Sequence, residues 1–386
     1  MLTSFQSTAR LAVVVLLMAG AGALAWRVAR ADWGYPLQQS RGGTPLADAA
    51  HARQRLARRP LDGAAFRTLG ERAAAAGDND TALAFFAISV RRDPRDPLVR
   101  LALIELYRAS GDGAAVAEHL DALLRVSPAS GEPALRRLLD RMDDDGFRQA
   151  LVQRLAGDPP WRQLLPSALA ASSSVAASEQ LLATLAGRSP LRAPEVALRA
   201  DLLERLDRPR AARTAWSEAL PAGVRALDGP VFDGGFESGQ GPQPYGWNWE
   251  SVSSAVVGVD TAHPAEGRSA LTLEFAGRIV DVFVVSQALV LGPGAYRLDL
   301  QADAALDNAE RGLSWRVVCR DGDAQLAQLP IPARTEGWQR FSAVFEVPGE
   351  CARQRLELRH EGRNPGERRP SGRISFDGLR LRELQR

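Results

Sequence analysis

Three hydrophobic patterns succeed one another along the chain. From Leu11 to Trp26 it reads LAVVVLLMAGAGALAW, sixteen residues without a charge, with Arg10 before it and Arg27 and Arg30 after it. At 1.5 Å per residue this run spans about 24 Å, a little short of the roughly 30 Å hydrocarbon core, although snorkelling arginines extend it. Two readings stay open: a cleaved signal peptide with an Ala-x-Ala site at Ala23 to Ala25, or an uncleaved anchor with Trp26 and Trp33 as interfacial aromatics. We favour the anchor, placing it in residues 1–32 with a linker over 33–45. Arginines on both flanks leave its orientation undecided by the positive-inside rule. From residue 46 to 222 apolar residues recur at helical spacing, which predicts an all-α region of about five hairpins. At Leu227 alanine thins out, glycine rises and short alternating runs begin, among them Tyr296 to Ala302, Gln339 to Val347, Arg355 to His360 and Arg373 to Arg382. So many short strands between turn signals predict an all-β sandwich or jelly roll over residues 228–386.

Composition narrows the chemistry. The chain has 386 residues and 48 basic side chains, every one an arginine, nearly balanced by 46 acids for a formal charge of +2. No basic block stands out, so nucleic acid is not an expected partner. The lack of lysine excludes a P-loop, a kinase strand lysine, a Schiff base and a Ser-Lys dyad. The four histidines, His51, His119, His263 and His360, show no metal-ligand spacing. Asp143, Asp144 and Asp145 read as a cap for the helix that follows Gly146 rather than as a metal site. The only cysteines, Cys319 and Cys351, fall in the predicted β region. An even pair there points to a disulfide in an oxidising compartment, with two free buried thiols as the alternative.

Within the helical region the residues repeat. Counting from Gly63, Phe66, Leu69, Gly70, Ala73, Gly77, Ala82, Phe86 and Pro94 occupy positions 4, 7, 8, 11, 15, 20, 24 and 32 of a 34-residue frame. Counting again from Pro97, Leu103, Tyr107, Gly111, Leu120, Leu123 and Pro128 occupy positions 7, 11, 15, 24, 27 and 32, and a degenerate half-match places Ala212, Trp216 and Ala219 near the end. This pattern resembles the tetratricopeptide repeat, which implies a solenoid whose concave groove holds a protein partner. First-helix side chains would line that groove, here Arg67, Glu71, Arg100 and Glu105, with a solvated polar face as the bland alternative.

The β region carries an ordered set of phrases: VFDGGFESG at 231–239, GWNWE at 246–250, GRSALTLEF at 267–275, PGAYRLDLQADA at 293–304 and ISFDGLRL at 374–381. Together they resemble the galactose-binding-like jelly rolls to which many carbohydrate-binding modules belong. Asp233 and Gly235 depart from the Asn-Gly-Asp-Phe-Glu commoner in that opening phrase. The resemblance implies glycan binding, for which Tyr245, Trp247, Trp249, Trp315 and Trp338 are the aromatic candidates; one tryptophan of GWNWE and Trp338 are expected to plug the core, leaving Tyr245 and whichever of Trp247 and Trp249 points outward as the sugar-facing rings. It also implies a structural calcium held by Glu237 and Asp377, against an alternative in which both carboxylates simply hydrogen-bond loop backbone; no other cofactor is required. Arg363, Arg368, Arg369 and Arg373 are candidates for an anionic sugar or phosphate, against a solvated hairpin loop.

These readings combine into a non-enzymatic, membrane-anchored adaptor at a bacterial inner membrane with its soluble domains in the periplasm, serving exopolysaccharide or cell-envelope assembly. Two alternatives stand beside it: a protein-assembly scaffold that binds no sugar, and a polysaccharide-active enzyme with two carboxylates converging in a cleft.

Overall fold

The computed structural model describes residues 45–140, 144–280, 285–309, 313–320, 322–362 and 364–385. The apolar run at Leu11 to Trp26, Asp143 and Arg363 lie outside them. Among the described residues no helix is long and apolar enough to cross a membrane. The chain divides into two compact units, with the boundary at Ser189 and Pro190.

The first unit is helical: α1 (Pro45–Arg58), α2 (Gly63–Ala75), α3 (Asn79–Arg92), α4 (Pro97–Ser110), α5 (Gly113–Val126), α6 (Pro128–Leu139), α7 (Asp145–Ala156), a 3-10 turn (Pro160–Leu164), α8 (Leu165–Ala170) and α9 (Val175–Ala186). Aspartates start four consecutive helices. Asp62, Asp78, Asp96 and Asp112 accept the orphan N–H groups of Ala65, Thr81, Leu98 and Ala115, the standard function of an N-cap carboxylate. Asp62 with Asp96, and Asp78 with Asp112, stand at the 34-residue spacing of the sequence frame. Small residues bring the paired helices together: a Cβ on Gly70 would lie 2.8 Å from the Phe86 ring. Phe86, Ala82, Val99 and Leu103 bury one cluster between α3 and α4. The period then fails, because Pro128 starts α6 directly after α5 and draws Gly131 inside that helix against Leu124. Asp144 caps α7 through Gly146 and Phe147, as the acidic triplet predicts, while Asp145 pairs with Arg148.

The second unit opens with α10 (Ala193–Arg205), α11 (Pro209–Glu218) and the short α12 (Ala222–Arg225). Among the described residues ten strands follow: β1 (Trp247–Trp249), β2 (Ala255–Asp260), β3 (Ala270–Ala276), β4 (Val285–Leu289), β5 (Gly294–Asp307), β6 (Leu313–Cys319), β7 (Gln325–Ile331), β8 (Gln339–Val347), β9 (Gln354–His360) and β10 (Ser371–Glu383). They form two five-stranded antiparallel sheets, ordered β1-β4-β9-β6-β7 and β2-β3-β10-β5-β8. Their facing sides enclose one core, in which Phe236, Trp247, Trp315 and Phe376 pack ring against ring at centroid distances of 4.9, 5.9 and 5.5 Å. Trp315 is core, whereas Trp338, expected in the core, is only half-buried just before β8.

The sequence frame assigns α10 and α11 to the solenoid, whereas they belong to the second unit. Trp216 is the reason. It is fully buried in a cluster with Leu203, Phe232 and Tyr245, so α10 and α11 share a core with the loop that leads into β1. Cys319 and Cys351 form a disulfide with Cα atoms 5.8 Å apart. Its closure joins the end of β6 to the segment before β9, where Arg320 N–H also donates to the Arg353 carbonyl at 2.9 Å.

Candidate functional site

Strand alternation sorts each strand of the first sheet into a core face and an outer face. On β9, Leu356 and Leu358 enter the core while Arg355, Glu357 and Arg359 take the other face. The same rule puts Ser286 on the outer face of β4, Ser314 and Arg316 on that of β6, and Gln328 on that of β7. The register aligns them. Asn248 pairs with Ser286, Ser286 with Glu357, Glu357 with Arg316 and Arg316 with Gln328. One polar side chain from every strand therefore stands in a single row, roughly 19 Å long at about 4.8 Å per strand.

At its β1–β4–β9 end this row floors an open cleft of about 530 Å³. Asp201 and Glu204 of α10 form one wall, Gln243, Pro244 and Gly246 another, and Arg320 closes one end. Three side chains hold α10 and its C-terminal end there. Glu204 Oε1 accepts the Tyr245 hydroxyl at 2.9 Å, Arg320 reaches Glu204 Oε2 at 3.4 Å, and Arg353 donates to the Glu204 carbonyl at 2.9 Å and to Asp207 at 2.8 Å. Burial, together with Glu204, pushes the Tyr245 hydroxyl well above the ordinary phenol range, so it remains a donor.

On the floor, Glu357 is 4% exposed and accepts Arg355 Nε and Arg359 Nε at 2.7 Å each. Burial alone would raise its carboxyl, but the bonds and charges of Arg359 and Arg355 outweigh burial and hold it below the ordinary glutamate value. At the far end of the row Glu361 collects Arg316, Gln328 and the Ser314 hydroxyl. That end is satisfied internally, whereas Asn248 and Ser286 have no side-chain partner among the described residues.

The expected ring platform is not on this surface. Tyr245 is 1% exposed beneath Trp216, and Trp247 is 0% exposed with its indole N–H donating to the Asp233 carbonyl at 2.9 Å. Neither ring offers a face to a sugar; both are core, because helix α11 and the facing sheet cover them. Trp249 points to the same side as Trp247 and is half-buried against Phe236 at the sandwich edge. Arg368 and Arg369 sit in the β9–β10 connection, whose backbone joins the 277–280 segment through bonds from Gly277 N and Val280 N. They do not line the cleft; Arg373 pairs instead with Asp260.

Glu237 and Asp377 both approach Gly235, where an added Cβ would lie 4.0 Å from Glu237 Oε1 and 3.8 Å from Asp377 Oδ1. Asp377 is wholly buried, and its oxygens accept the N–H groups of Ala265, Glu266 and Gly378 at 2.8, 2.9 and 2.6 Å. Burial raises its carboxyl above the ordinary aspartate value, and no arginine contacts it among the described residues. Glu237 accepts Arg268 N at 2.7 Å. Asp233 turns the opening loop by accepting Glu237 N and Ser238 N, and Gly234 is required where the loop meets β10, since a Cβ there would overlap the Leu379 carbonyl oxygen at 1.8 Å. Two carboxylates suit a hard cation, which would take its remaining oxygens from loop carbonyls. Among the described residues no group of three His, Cys, Asp or Glu side chains converges for a metal.

In the first unit the four predicted groove residues are engaged by neighbouring side chains of the helices. Arg67 on α2 bridges to Asp96 at 2.5 Å and to Glu71 at 3.6 Å. Burial raises the Glu71 carboxyl. Arg100 on α4 meets His119 Nδ1 at 3.0 Å, and Glu105 pairs with Arg108 at 3.0 Å.

No family model matches the chain, and no curated protein matches it. Among solved structures it is similar, over the C-terminal β domain, to the CBM22-1 xylan-binding domain of Xyn10C from Paenibacillus barcinonensis, at 15% identity over 39% of this chain and 92% of that one, with a TM-score of 0.30. It is also similar to TmCBM61 solved in complex with beta-1,4-galactotriose, at 18% identity over 41% and 99%, with a TM-score of 0.29. A family 16 carbohydrate-binding module is similar at 14% identity over 40% and 100%, with a TM-score of 0.30.

Proposed function

We propose that this chain is a non-enzymatic glycan-binding adaptor, with the sugar chain lying along the polar row of the first sheet and a protein partner engaging the helical unit. The observation that carries the reading is the row itself: Asn248, Ser286, Glu357, Arg316 and Gln328, one from each strand, leading into an open cleft. Planar amide, carboxylate and guanidinium groups match the paired donors and acceptors of sugar hydroxyls. The carboxylates Glu204 and Glu357 are committed to arginines, which favours binding over hydrolysis. On the helical unit the proposed partner surface is the side of α2 and α4 carrying Arg67, Glu71, Arg100 and Glu105. A calcium ion at Glu237 and Asp377 would supply the positive charge that buried Asp377 lacks. Anchoring through Leu11 to Trp26, a periplasmic address for the disulfide-bonded domain and a place in exopolysaccharide or envelope assembly complete the proposal.

The scaffold-only alternative calls for an apolar patch; the two most exposed apolar side chains of the β domain, Val256 and Val344, lie on β2 and β8, opposite edges of the second sheet. A glycan array probed with the whole protein tests the reading. Selective binding that is lost in Asn248→Ala and Ser286→Ala supports it; a well-folded protein that binds no glycan, neutral or acidic, refutes it.

A further inference from the structure

The cleft floor carries more information than a general affinity for sugars. We infer that its β4–β9 subsite, between Arg355 and Arg359, takes an acidic sugar whose oxyanion bridges the two guanidiniums. This rests on the glycan-binding reading above and specifies its ligand class.

Arg355, Glu357 and Arg359 alternate along β9, so their side chains rise from the same face two residues apart. Glu357 spends one carboxylate oxygen on each arginine: Oε2 on Arg355 Nε and Oε1 on Arg359 Nε. Both bonds use the inner nitrogen of the guanidinium. The terminal nitrogens, which make the fork that suits a carboxylate, have no other partner among the described residues. The arginine side chains are 37% and 52% exposed, whereas that of Glu357 is 5% exposed. The buried acid thus orients two solvent-facing cations and leaves the trio with a net positive charge. Its lowered carboxyl value keeps it ionised at neutral pH.

The cleft's other acids do not compete for this charge. Glu204 is occupied by Tyr245 and Arg320, and Asp201 pairs with Arg205 at 4.0 Å. Beside the trio, Ser286 opposes Glu357 across β4 and Ala288 opposes Arg355. Ser286 and Ala288 are both small residues of the cleft lining, and Asn248 on β1 adds an amide within the same row. Among the described residues the cleft lining carries polar and charged groups rather than an aromatic ring, the usual stacking surface for a neutral sugar. Charge-assisted hydrogen bonds replace it.

The test is titration calorimetry on the whole protein with oligogalacturonate, its methyl ester, a sulfated oligosaccharide of similar length, and polyglutamate. Oligogalacturonate should bind, with the ester and polyglutamate at least tenfold weaker. Arg355→Gln and Arg359→Gln should each lose tenfold or more, with Arg→Lys at either position recovering only part. Arg334→Gln, an exposed pair with Asp307 on the other sheet, should bind as the parent does. The sulfated arm assigns the source: weaker binding than the uronate supports a carboxylate, and equal binding supports an oxyanion of either kind. Equal binding of acid and ester overturns the acidic-sugar inference while the glycan-binding reading survives. Failure of every glycan to bind overturns both. Acid binding that persists in folded Arg355→Gln and Arg359→Gln proteins moves the site elsewhere and overturns the assignment.

Discussion

Tyr245 offers the sharpest separation between a packing residue and a sugar platform. Its ring is 1% exposed, meets Trp216 edge-on at 5.5 Å, and lies 5.5 Å from the Arg213 guanidinium. Its hydroxyl donates to Glu204 Oε1 at 2.9 Å. Tyr245→Ala removes a buried aromatic that α11 cannot follow inward, a change costing about 3–5 kcal/mol. Tyr245→Phe keeps the ring and removes only a hydrogen bond to a charged acceptor, for which about 1.5–3 kcal/mol is usual. Glu204 retains Arg320 and Arg353 in that variant, so the lower end, about 1.5 kcal/mol, is expected. Urea unfolding of the whole protein, followed by tryptophan fluorescence, measures both. A double-mutant cycle with Glu204→Gln isolates the coupling, expected at about 1–2 kcal/mol. Glycan affinity in Tyr245→Phe should match the parent. The reasoning is refuted if Tyr245→Ala costs below about 1 kcal/mol while glycan binding disappears, because the ring would then be a free surface rather than the seat of α10 and α11.

Three further outcomes are expected. Replacing both Cys319 and Cys351 by serine should lower stability by about 3–4 kcal/mol, as the chain-entropy relation gives for a 32-residue separation, and denaturation with and without reductant should show the same loss in the parent but not in the variant. Gly70→Ala pushes a Cβ to 2.8 Å from the Phe86 ring and should cost about 1–3 kcal/mol by overpacking, read as a lower helical melting temperature by circular dichroism. Folded Asp377 binds its proton more tightly than the unfolded chain, whose ordinary value is 3.8, so its contribution to stability grows as pH falls toward that value and shrinks as pH rises. Melting curves from about pH 7 down to about pH 4 should lose that component in Asp377→Asn, and added calcium, if held there, should raise the parent's melting temperature most at neutral pH.

The two-layer β architecture was legible because alternation survives in short phrases. RLELRH at 355–360 already separates leucines from charges, and β9 follows it residue for residue. The paired 34-residue frames likewise give α2 to α5. What a single strand's pattern does not record is cover by another element. Tyr245 and Trp247 lie in a loop and a strand whose outward aromatics look available, yet Trp216, 29 residues upstream of Tyr245, buries one, and the facing sheet buries the other. The cleft floor escaped for a related reason. Its residues are ordinary strand polars, and only the register between strands distant in sequence makes a row of Asn248, Ser286 and Glu357. The alternating arginines around Glu357 were the one local signal that could have pointed there.

The cluster of Trp216 with Phe232 and Tyr245 bears on modularity. Fold class changes near residue 227, and a designer or a recombination event guided by that change would cut between α12 and the first strand. Such a cut strands two large aromatics, Phe232 and Tyr245, on the surface of the fragment and removes Glu204 from the cleft wall. The heritable unit therefore begins no later than Pro190, where the chain's compact units part. A lineage exchanging this sandwich among proteins would have to carry the α10–α11 hairpin with it, and chimeras joined at Pro190 should stay soluble where those joined at 228 aggregate.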